Sequence, residues 1–251
     1  MSDRPERLVF ADPGEPAELA AFLGRLLRWE KTAAVRLRGT DDGVLGVFGR
    51  PARFEVLAVR TARLSEPVLL DVTVSAGELL EGVDEAAEAV SVPAAVTGPP
   101  WAGVLPPRGG WRPVGELPYE SVRAAAASVV AEFRRRSEAL PPGERTREAL
   151  DALAEEIWSR PLGGGTGLPL RAVHAAQALG MLRPVAPVVA AGPHGPVGPH
   201  GPAVGGGGPV GGGPGPRVTV LAAGAWLRLR TPYGSIAVRG GGGTGLSVIP
   251  L

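Results

Sequence analysis

A glycine-rich stretch, Gly163-Gly164-Gly165-Thr166-Gly167, has the composition of a phosphate-binding loop. Glycine N–H groups placed ahead of a helix N-terminus attract anions. The stretch follows a predicted helix instead of a strand, however, and it lacks the Lys-Ser/Thr pair of a P-loop. Nearly the same letters recur at 241–246. We therefore interpret the stretch as a flexible turn.

The titratable residues are too isolated, or wrongly spaced, for catalysis or metal binding. His174 lies among alanines on a predicted helix, and His194 and His200 lie in a Gly/Pro tract. The acidic pairs Asp41-Asp42 and Glu155-Glu156 are adjacent, whereas general acid/base catalysis needs carboxylates that converge on one substrate atom. There is no cysteine, and no serine lies in a nucleophile-elbow pattern. The sequence predicts no catalytic residue, no metal ligand and no cofactor, and we do not expect an enzyme.

Aromatic and arginine side chains in loops and in a C-terminal hairpin are the remaining candidates for recognition. Exposed rings in loops serve recognition more often than packing. Rings at the edge of a small sheet also fill its core, and the sequence leaves both roles open. The candidate interaction residues are Trp101, Trp111, Arg112, Arg228, Arg230 and Tyr233.

Charge is distributed unevenly although the formal net charge is only +1. Basic residues outnumber acidic ones between Arg28 and Arg63, whereas 64–107 contains acidic residues and no basic one. The split fits two solvated faces of opposite sign, and it also fits a head-to-tail or partner interface, since complementary fields steer association. The expected partner is an unknown protein or a second copy of the chain.

The segment from Thr32 to Leu64 predicts an antiparallel meander. Its strands are Ala33 to Arg38, Val44 to Gly49 and Phe54 to Leu64, and Gly, Asp and Pro at the joints suit tight turns. A short strand, Leu8 to Phe10, and a helix that starts at Asp12-Pro13 and carries apolar residues on one face precede it.

A second unit of the same kind follows the meander. Leu70 to Val74 predicts a strand, and Ser75 with Glu78 forms a capping box that opens a helix. Further short strands or loops are predicted over 90–92, 102–105 and 110–114, where prolines exclude central strands. The predicted fold class is therefore α+β, an antiparallel sheet with packed helices built from a repeated strand-helix-strands unit.

The element order over roughly Arg7 to Pro118 resembles one domain of a DNA sliding clamp, which is built from two strand-helix-strands repeats. The likeness also rests on Ser75-Ala76-Gly77-Glu78-Leu79-Leu80 after a Val-rich strand and on the closing stretch from Trp111 to Pro118. The likeness implies a fold. It does not imply that the chain encircles DNA, because the inner helices of sliding clamps are basic, whereas the second helix of this chain is acidic. More broadly, the chain resembles uncharacterised proteins typical of actinobacteria, a likeness that implies no activity.

The second half is predicted to be helical and then to return to strands. Three helices are expected up to about Leu182, as a small bundle or packed on the first domain. The predicted domains are an α+β sheet domain over 5–118, a helical segment over 119–183, a disordered Gly/Pro linker over 184–216, a β-hairpin docking on the helices over 217–239 and a flexible tail over 240–251.

The predicted function is that of a non-catalytic binding or regulatory protein that acts through protein–protein contacts. The alternative is a DNA-associated protein, because two helices and a basic hairpin can form a winged helix whose wing touches phosphates. No recognition helix is predicted after Gly180, since Pro184 and Pro187 follow. We expect a cytoplasmic protein that does not bind membranes, because the charged N-terminus and the lack of a long apolar stretch exclude a secretory signal and a membrane span.

Overall fold

The computed structural model of the chain describes residues 7–51, 53–184 and 216–240. Most of the predicted linker and of the predicted tail lies outside these residues. The described helices are α1 Glu15–Trp29, α2 Ala76–Glu81, α3 Tyr119–Ala139, α4 Arg147–Ser159 and α5 Leu170–Ala178. The described strands are β1 Arg7–Val9, β2 Ala34–Gly39, β3 Val44–Gly49, β4 Leu57–Arg63, β5 Leu70–Ser75, β6 Val83–Asp84, β7 Ala89–Ser91, β8 Arg112–Pro118, β9 Arg217–Ala223, β10 Trp226–Thr231 and β11 Gly234–Arg239.

The predicted α+β class and its repeated unit are confirmed. A first unit contains β1, α1 and the meander β2–β4, and a second contains β5, α2, β6 and β7. The Ser75 half of the predicted capping box is present, because the Ser75 hydroxyl accepts a hydrogen bond from the backbone N–H of Glu78 at 3.4 Å. Among the described residues, every helix is too short or too polar to cross a membrane.

One antiparallel sheet of eight strands runs through the described part of the chain, in the order β5-β2-β3-β4-β11-β10-β9-β8. A smaller sheet has the order β1-β7-β6. The two halves of the large sheet join where β4 pairs with β11, with Ala58 opposite Ile236. Without this pairing, β4 and β11 would each be an edge strand with unpaired backbone N–H and C=O groups.

The C-terminal strands therefore form a larger structure than the predicted two-stranded hairpin. They form a meander of three strands, and β9 pairs with β8, which was expected to belong to the second unit of the first half. The helix α5 contacts β11, so the expected packing of these strands on the helices is also present. Strands β10 and β11 lie inside the sheet and not at its edge, so their hairpin is not the free wing that a winged helix needs.

Helices cover one face of the large sheet. The helix α1 contacts β4, α3 contacts β8 and β9, and α5 contacts β11. Gly49 lets α1 approach the sheet closely, because a Cβ there would lie 2.8 Å from the Leu26 Cδ2 atom. Buried residues of this interface include Leu23, Leu26, Val35, Leu37, Val47, Tyr119, Val122, Ala176, Val220, Leu229 and Ile236.

Two predicted helix boundaries are wrong for local reasons. The helix α1 begins at Glu15, two residues later than predicted, because the Asp12 carboxylate accepts a hydrogen bond from the Gly14 N–H at 2.8 Å and closes a turn ahead of the helix. The helix α5 ends at Ala178 instead of continuing for another turn. Gly180 has a φ of 71°, and such a left-handed residue ends a helix.

Two predicted strand segments also differ from the structure. Strand β4 begins at Leu57, three residues later than predicted, because Arg53 and Glu55 have φ values of 73° and 53°. Positive φ values interrupt an extended strand. The segment 102–105 is not a strand, and Pro100–Gly103 forms a single 3-10 turn, which agrees with the inability of proline to donate to a sheet ladder.

Candidate binding surface

The side chains that alternate with the buried ones on the large sheet point away from the helices, onto what we call the helix-free face. On β10, for example, Leu229 is buried beneath the helices, whereas Trp226, Arg228 and Arg230 occupy the alternate positions. The strand registers carry the same alternation to the neighbouring strands. The arginines of the helix-free face are Arg36, Arg38, Arg63, Arg217, Arg228, Arg230 and Arg239.

Two acidic residues on this face, Asp71 and Glu116, form ion pairs with arginines of the same face. The Asp71 carboxylate accepts hydrogen bonds from Arg36 at 2.6 Å and Arg38 at 3.1 Å, and Glu116 pairs with Arg217 at 3.2 Å. The hydrogen bond from Arg36, followed by that from Arg38, lowers the pKa of Asp71. Positive charge therefore dominates the face.

The segment between β7 and β8, residues 92–111, crosses the helix-free face from the β5 edge to the β8 edge, and we call it the strap. At the β5 edge, the Val96 N–H donates to the Thr73 carbonyl at 2.9 Å. Further along, the Arg36 guanidinium donates to the Ala102 carbonyl. The strap and the sheet together bury Leu57 although it faces away from the helices.

A groove of about 320 Å³, which we call the tryptophan groove, lies between the strap and the sheet. Half-buried Trp101 of the strap and Trp226 of β10 line it, together with Leu57. Arg50 and Arg239 also line it, and the Arg239 guanidinium lies 5.4 Å from the Trp226 ring centroid. Glu55 lines the groove as well, and its carboxylate is paired with Arg171. The groove thus combines apolar surface with positive charge.

A second groove, of about 400 Å³, lies beside the turn between β10 and β11, and we call it the arginine groove. Arg228 donates from Nε to the Ser235 hydroxyl at 2.8 Å, and its guanidinium lies 5.6 Å from the Trp111 ring centroid. Burial, and next the charge of Arg230, lowers the pKa of Arg228. Neither Arg228 nor Arg230 forms an ion pair with a described residue. The lining residues include Glu15, Arg60, Arg217, Thr219, Arg228, Arg230, Tyr233 and Ser235.

Ion pairs hold the wall of the arginine groove next to α1. The largely buried Arg60 pairs with Glu15 at 2.7 Å, and Arg183 pairs with Glu18 at 2.9 Å. The Arg183 guanidinium also lies 4.0 Å from the Tyr233 ring centroid. These contacts fix the turn that carries Tyr233, so this wall is organised before any ligand binds.

The structure brings together four of the six candidate interaction residues. Arg228, Arg230 and Tyr233 line the arginine groove, and Trp111 stacks beside Arg228. The Trp111 indole N–H donates to the Pro107 carbonyl at 2.9 Å, which fixes the ring within the strap. Trp111 therefore packs against the sheet and also orients a groove residue.

The other two candidates lie elsewhere. Trp101 lines the tryptophan groove, whereas Arg112 is exposed at the start of β8, apart from the residues that line either groove. Sequence reasoning did not select Trp226 or Arg60 for the site. The alternation of Trp226 with two arginines on β10 is a signal that places it on the same face, but no local signal marks Arg60.

The glycine-rich stretch forms the turn that the sequence predicts. It joins α4 to α5, and the Leu162 N–H donates to the Leu168 carbonyl at 2.6 Å, which closes the turn. Gly164, Gly165 and Gly167 have positive φ values. Within the described ranges, no group of three or more His, Asp and Glu side chains is placed to hold a metal ion.

His174 lies in the helical layer and not in either groove. Its ring is 5.0 Å from the ring centroids of Phe54 and Trp158, and burial lowers its pKa. Its Nδ1 atom has no hydrogen-bond partner in the described part of the chain. The side chain therefore packs as an aromatic ring between Phe54 and Trp158.

Two family models match the chain, and both describe domains of unknown function. DUF8010 matches residues 3–103 and DUF8185 matches residues 106–243. The two matches meet inside the strap. Neither a curated protein nor a solved structure matches the chain, so the likeness to a sliding clamp stays a prediction from element order. Because its match spans more than half of the chain, DUF8185 is the family of unknown function to which this chain belongs.

Proposed function

We propose that the chain is a non-catalytic binding protein that holds a segment of a partner protein on the helix-free face of its sheet. The observation that carries the proposal is the tryptophan groove beneath the strap, where Trp101 and Trp226 leave part of their rings exposed. Tryptophan and arginine are enriched at the energetic centres of protein interfaces. This groove places both types side by side.

The chemistry of the groove favours a particular partner. Its apolar floor, formed in part by Leu57 and Ala237, accepts an apolar side chain, and burying such a side chain favours association. Arg50 and Arg239 at the same groove attract carboxylates. The partner segment is therefore expected to carry an apolar anchor flanked by acidic residues.

Photo-crosslinking in the native cell tests the proposal. A benzophenone amino acid replaces Val104 on the strap, and a control variant carries it in place of Val130 on α3. These valines are exposed by 48% and 38%, so the two probes are matched in accessibility. We expect a discrete protein adduct from position 104 that is absent from position 130 and is lost when Trp226→Ala is added.

Two outcomes of this experiment contradict the proposal. One is the same set of adducts from both positions, which indicates non-specific contact. The other is a position-104 probe that reacts with nucleic acid and with no protein. Circular dichroism of each variant confirms that the comparison is made between folded proteins.

A second candidate function is association with DNA, and the seven arginines of the helix-free face favour it. Phosphate contacts by arginine supply sequence-independent affinity that falls steeply with salt. This candidate no longer relies on a winged helix, because β10 and β11 are interior strands. Titration of labelled duplex DNA at low ionic strength tests it, and the absence of binding there removes the candidate.

A further inference from the structure

The arginine groove carries a pair of cations at a defined spacing. Arg228 and Arg230 are two residues apart on β10 and therefore point to the same face, about 7 Å apart along the strand. Neither forms an ion pair with a described residue, in contrast to Arg60 and Arg217 at the sides of the same groove. The groove therefore presents two guanidinium groups without an acidic partner.

Hydroxyl groups lie beside these guanidinium groups. Thr219 on β9 and Ser235 on β11 are both directly opposite Arg230 in the sheet registers. The Ser235 hydroxyl is almost completely buried and accepts a hydrogen bond from Arg228, so it positions that guanidinium. Thr219 is partly exposed, so it adds a neutral donor beside the two charged ones.

One of the two cations is held in place before a ligand arrives. The Trp111 ring lies on one side of the Arg228 guanidinium, and the Ser235 hydroxyl fixes its Nε. Burial and the neighbouring Arg230 charge both disfavour the charged form of Arg228, which is why its pKa is lowered. A bound anion would offset both effects, because an adjacent opposite charge stabilises the charged form of Arg228.

We propose that the arginine groove binds an extended acidic protein segment whose two carboxylates are two residues apart. Side chains at positions i and i+2 of an extended peptide lie on the same side at the spacing of Arg228 and Arg230. Each arginine then forms charge-assisted hydrogen bonds with one carboxylate. This inference rests on the proposed function, because it assigns the acidic part of the partner segment.

The groove suits a short acidic segment better than a long polyanion. Glu15 lines the groove and pairs with Arg60, and Glu116 pairs with Arg217. A nucleic acid strand that continues beyond the two central arginines passes close to these carboxylates. A segment that carries only two carboxylates brings no further negative charge close to them.

Fluorescence anisotropy with the full chain tests the inference. The probe is a labelled Gly-Gly-Asp-Ala-Asp-Gly-Gly peptide, and the control peptides replace both Asp with Asn or place the two Asp adjacent to each other. We expect the Asp-Ala-Asp peptide to bind best, and we expect binding to weaken with salt. Arg228→Gln and Arg230→Gln should each weaken it about tenfold, the value of one lost charge-assisted interaction.

Matched control variants separate charge loss in the groove from general charge loss. Arg134→Gln and Arg135→Gln remove exposed arginines of α3, and we expect binding of the Asp-Ala-Asp peptide to remain unchanged. Arg230 is exposed as well, so Arg230→Gln should fold normally even where Arg228→Gln loosens the strap. Competition with inorganic phosphate and with a short single-stranded DNA oligonucleotide completes the series.

Several outcomes overturn the inference. Equal affinity for the Asn peptide, or no loss of affinity in Arg230→Gln, shows that the two carboxylates are not recognised there. Stronger binding of the DNA oligonucleotide than of the peptide assigns the groove to a nucleic acid instead. A protein adduct at position 104 without peptide binding refutes this inference and leaves the proposed function standing. Peptide binding without any protein adduct refutes the proposed function, and the arginine groove then remains a binding site for acidic peptides.

Discussion

The two faces of the eight-stranded sheet differ in what they contact. The helix-covered face consists mainly of apolar side chains that α1, α3 and α5 bury. Within the described part of the chain, the opposite face carries seven arginines and is crossed by the strap. Apolar burial is the main source of folding free energy, so the covered face stabilises the chain. The other face contributes little to the main apolar core.

The family matches divide the chain differently from the sheet. The DUF8010 and DUF8185 matches meet between residues 103 and 106, inside the strap. The large sheet continues across that boundary through the β4–β11 pairing. A boundary between matched families is therefore not a boundary between separate cores in this protein.

The largest expected effect on stability lies where β4 pairs with β11, on the helix-covered face. Ile236→Ala removes a fully buried side chain beside β4, and it should lower the free energy of unfolding by about 2–5 kcal/mol. Thr61→Ala, at an exposed position of β4 on the helix-free face, should change it by less than about 0.5 kcal/mol. Urea unfolding measures both, and equal effects would refute the division of roles between the faces.

An intermediate effect is expected from His174, which belongs to the helical layer. Its pKa is lower in the folded state than the ordinary value of 6.5, so the unfolded chain binds more protons as pH falls below that value. The free energy of unfolding should therefore decrease as the pH falls below about 6.5. His174→Phe keeps a ring between Phe54 and Trp158, and it should remove this part of the pH dependence in urea unfolding. If the free energy of unfolding of His174→Phe depends on pH as steeply as that of the original chain, His174 is not the source of this pH dependence.

A smaller effect is expected on the helix-free face at Asp71. Its pKa is lowered by Arg36 and Arg38, so its contribution to stability is present above its unfolded pKa and is lost as pH falls through the folded value. Because 39% of the side chain is exposed, solvent screens the pairs, and Asp71→Asn should cost at most about 1 kcal/mol at neutral pH. Thermal unfolding at neutral pH measures the loss. A loss as large as that of Ile236→Ala would show that this face also holds the fold together.

The candidate site was predicted in part. Arg228 and Arg230 were identified because alternation along a strand is a local property. Trp111 and Trp101 were identified as loop aromatics, but the sequence left open whether they fill the core or serve recognition, and the structure shows Trp111 packed beside Arg228 within the strap. Arg60 could not be selected, because its role depends on Glu15 and on the Tyr233 turn, which are distant from it along the chain.

The sequence by itself determined the local structure: the meander from β2 to β4, the capped start of α2 and the alternation of apolar and charged residues on β10. Turn residues, caps and periodicity act over a few neighbouring positions, so they can be recognised from the letters. Only the tertiary structure decided that β4 pairs with β11 and that the strap crosses the arginine-bearing face. Backbone hydrogen bonds between strands carry no side-chain signature of their partner, and so the choice of partner depends on how the whole chain buries its apolar surface.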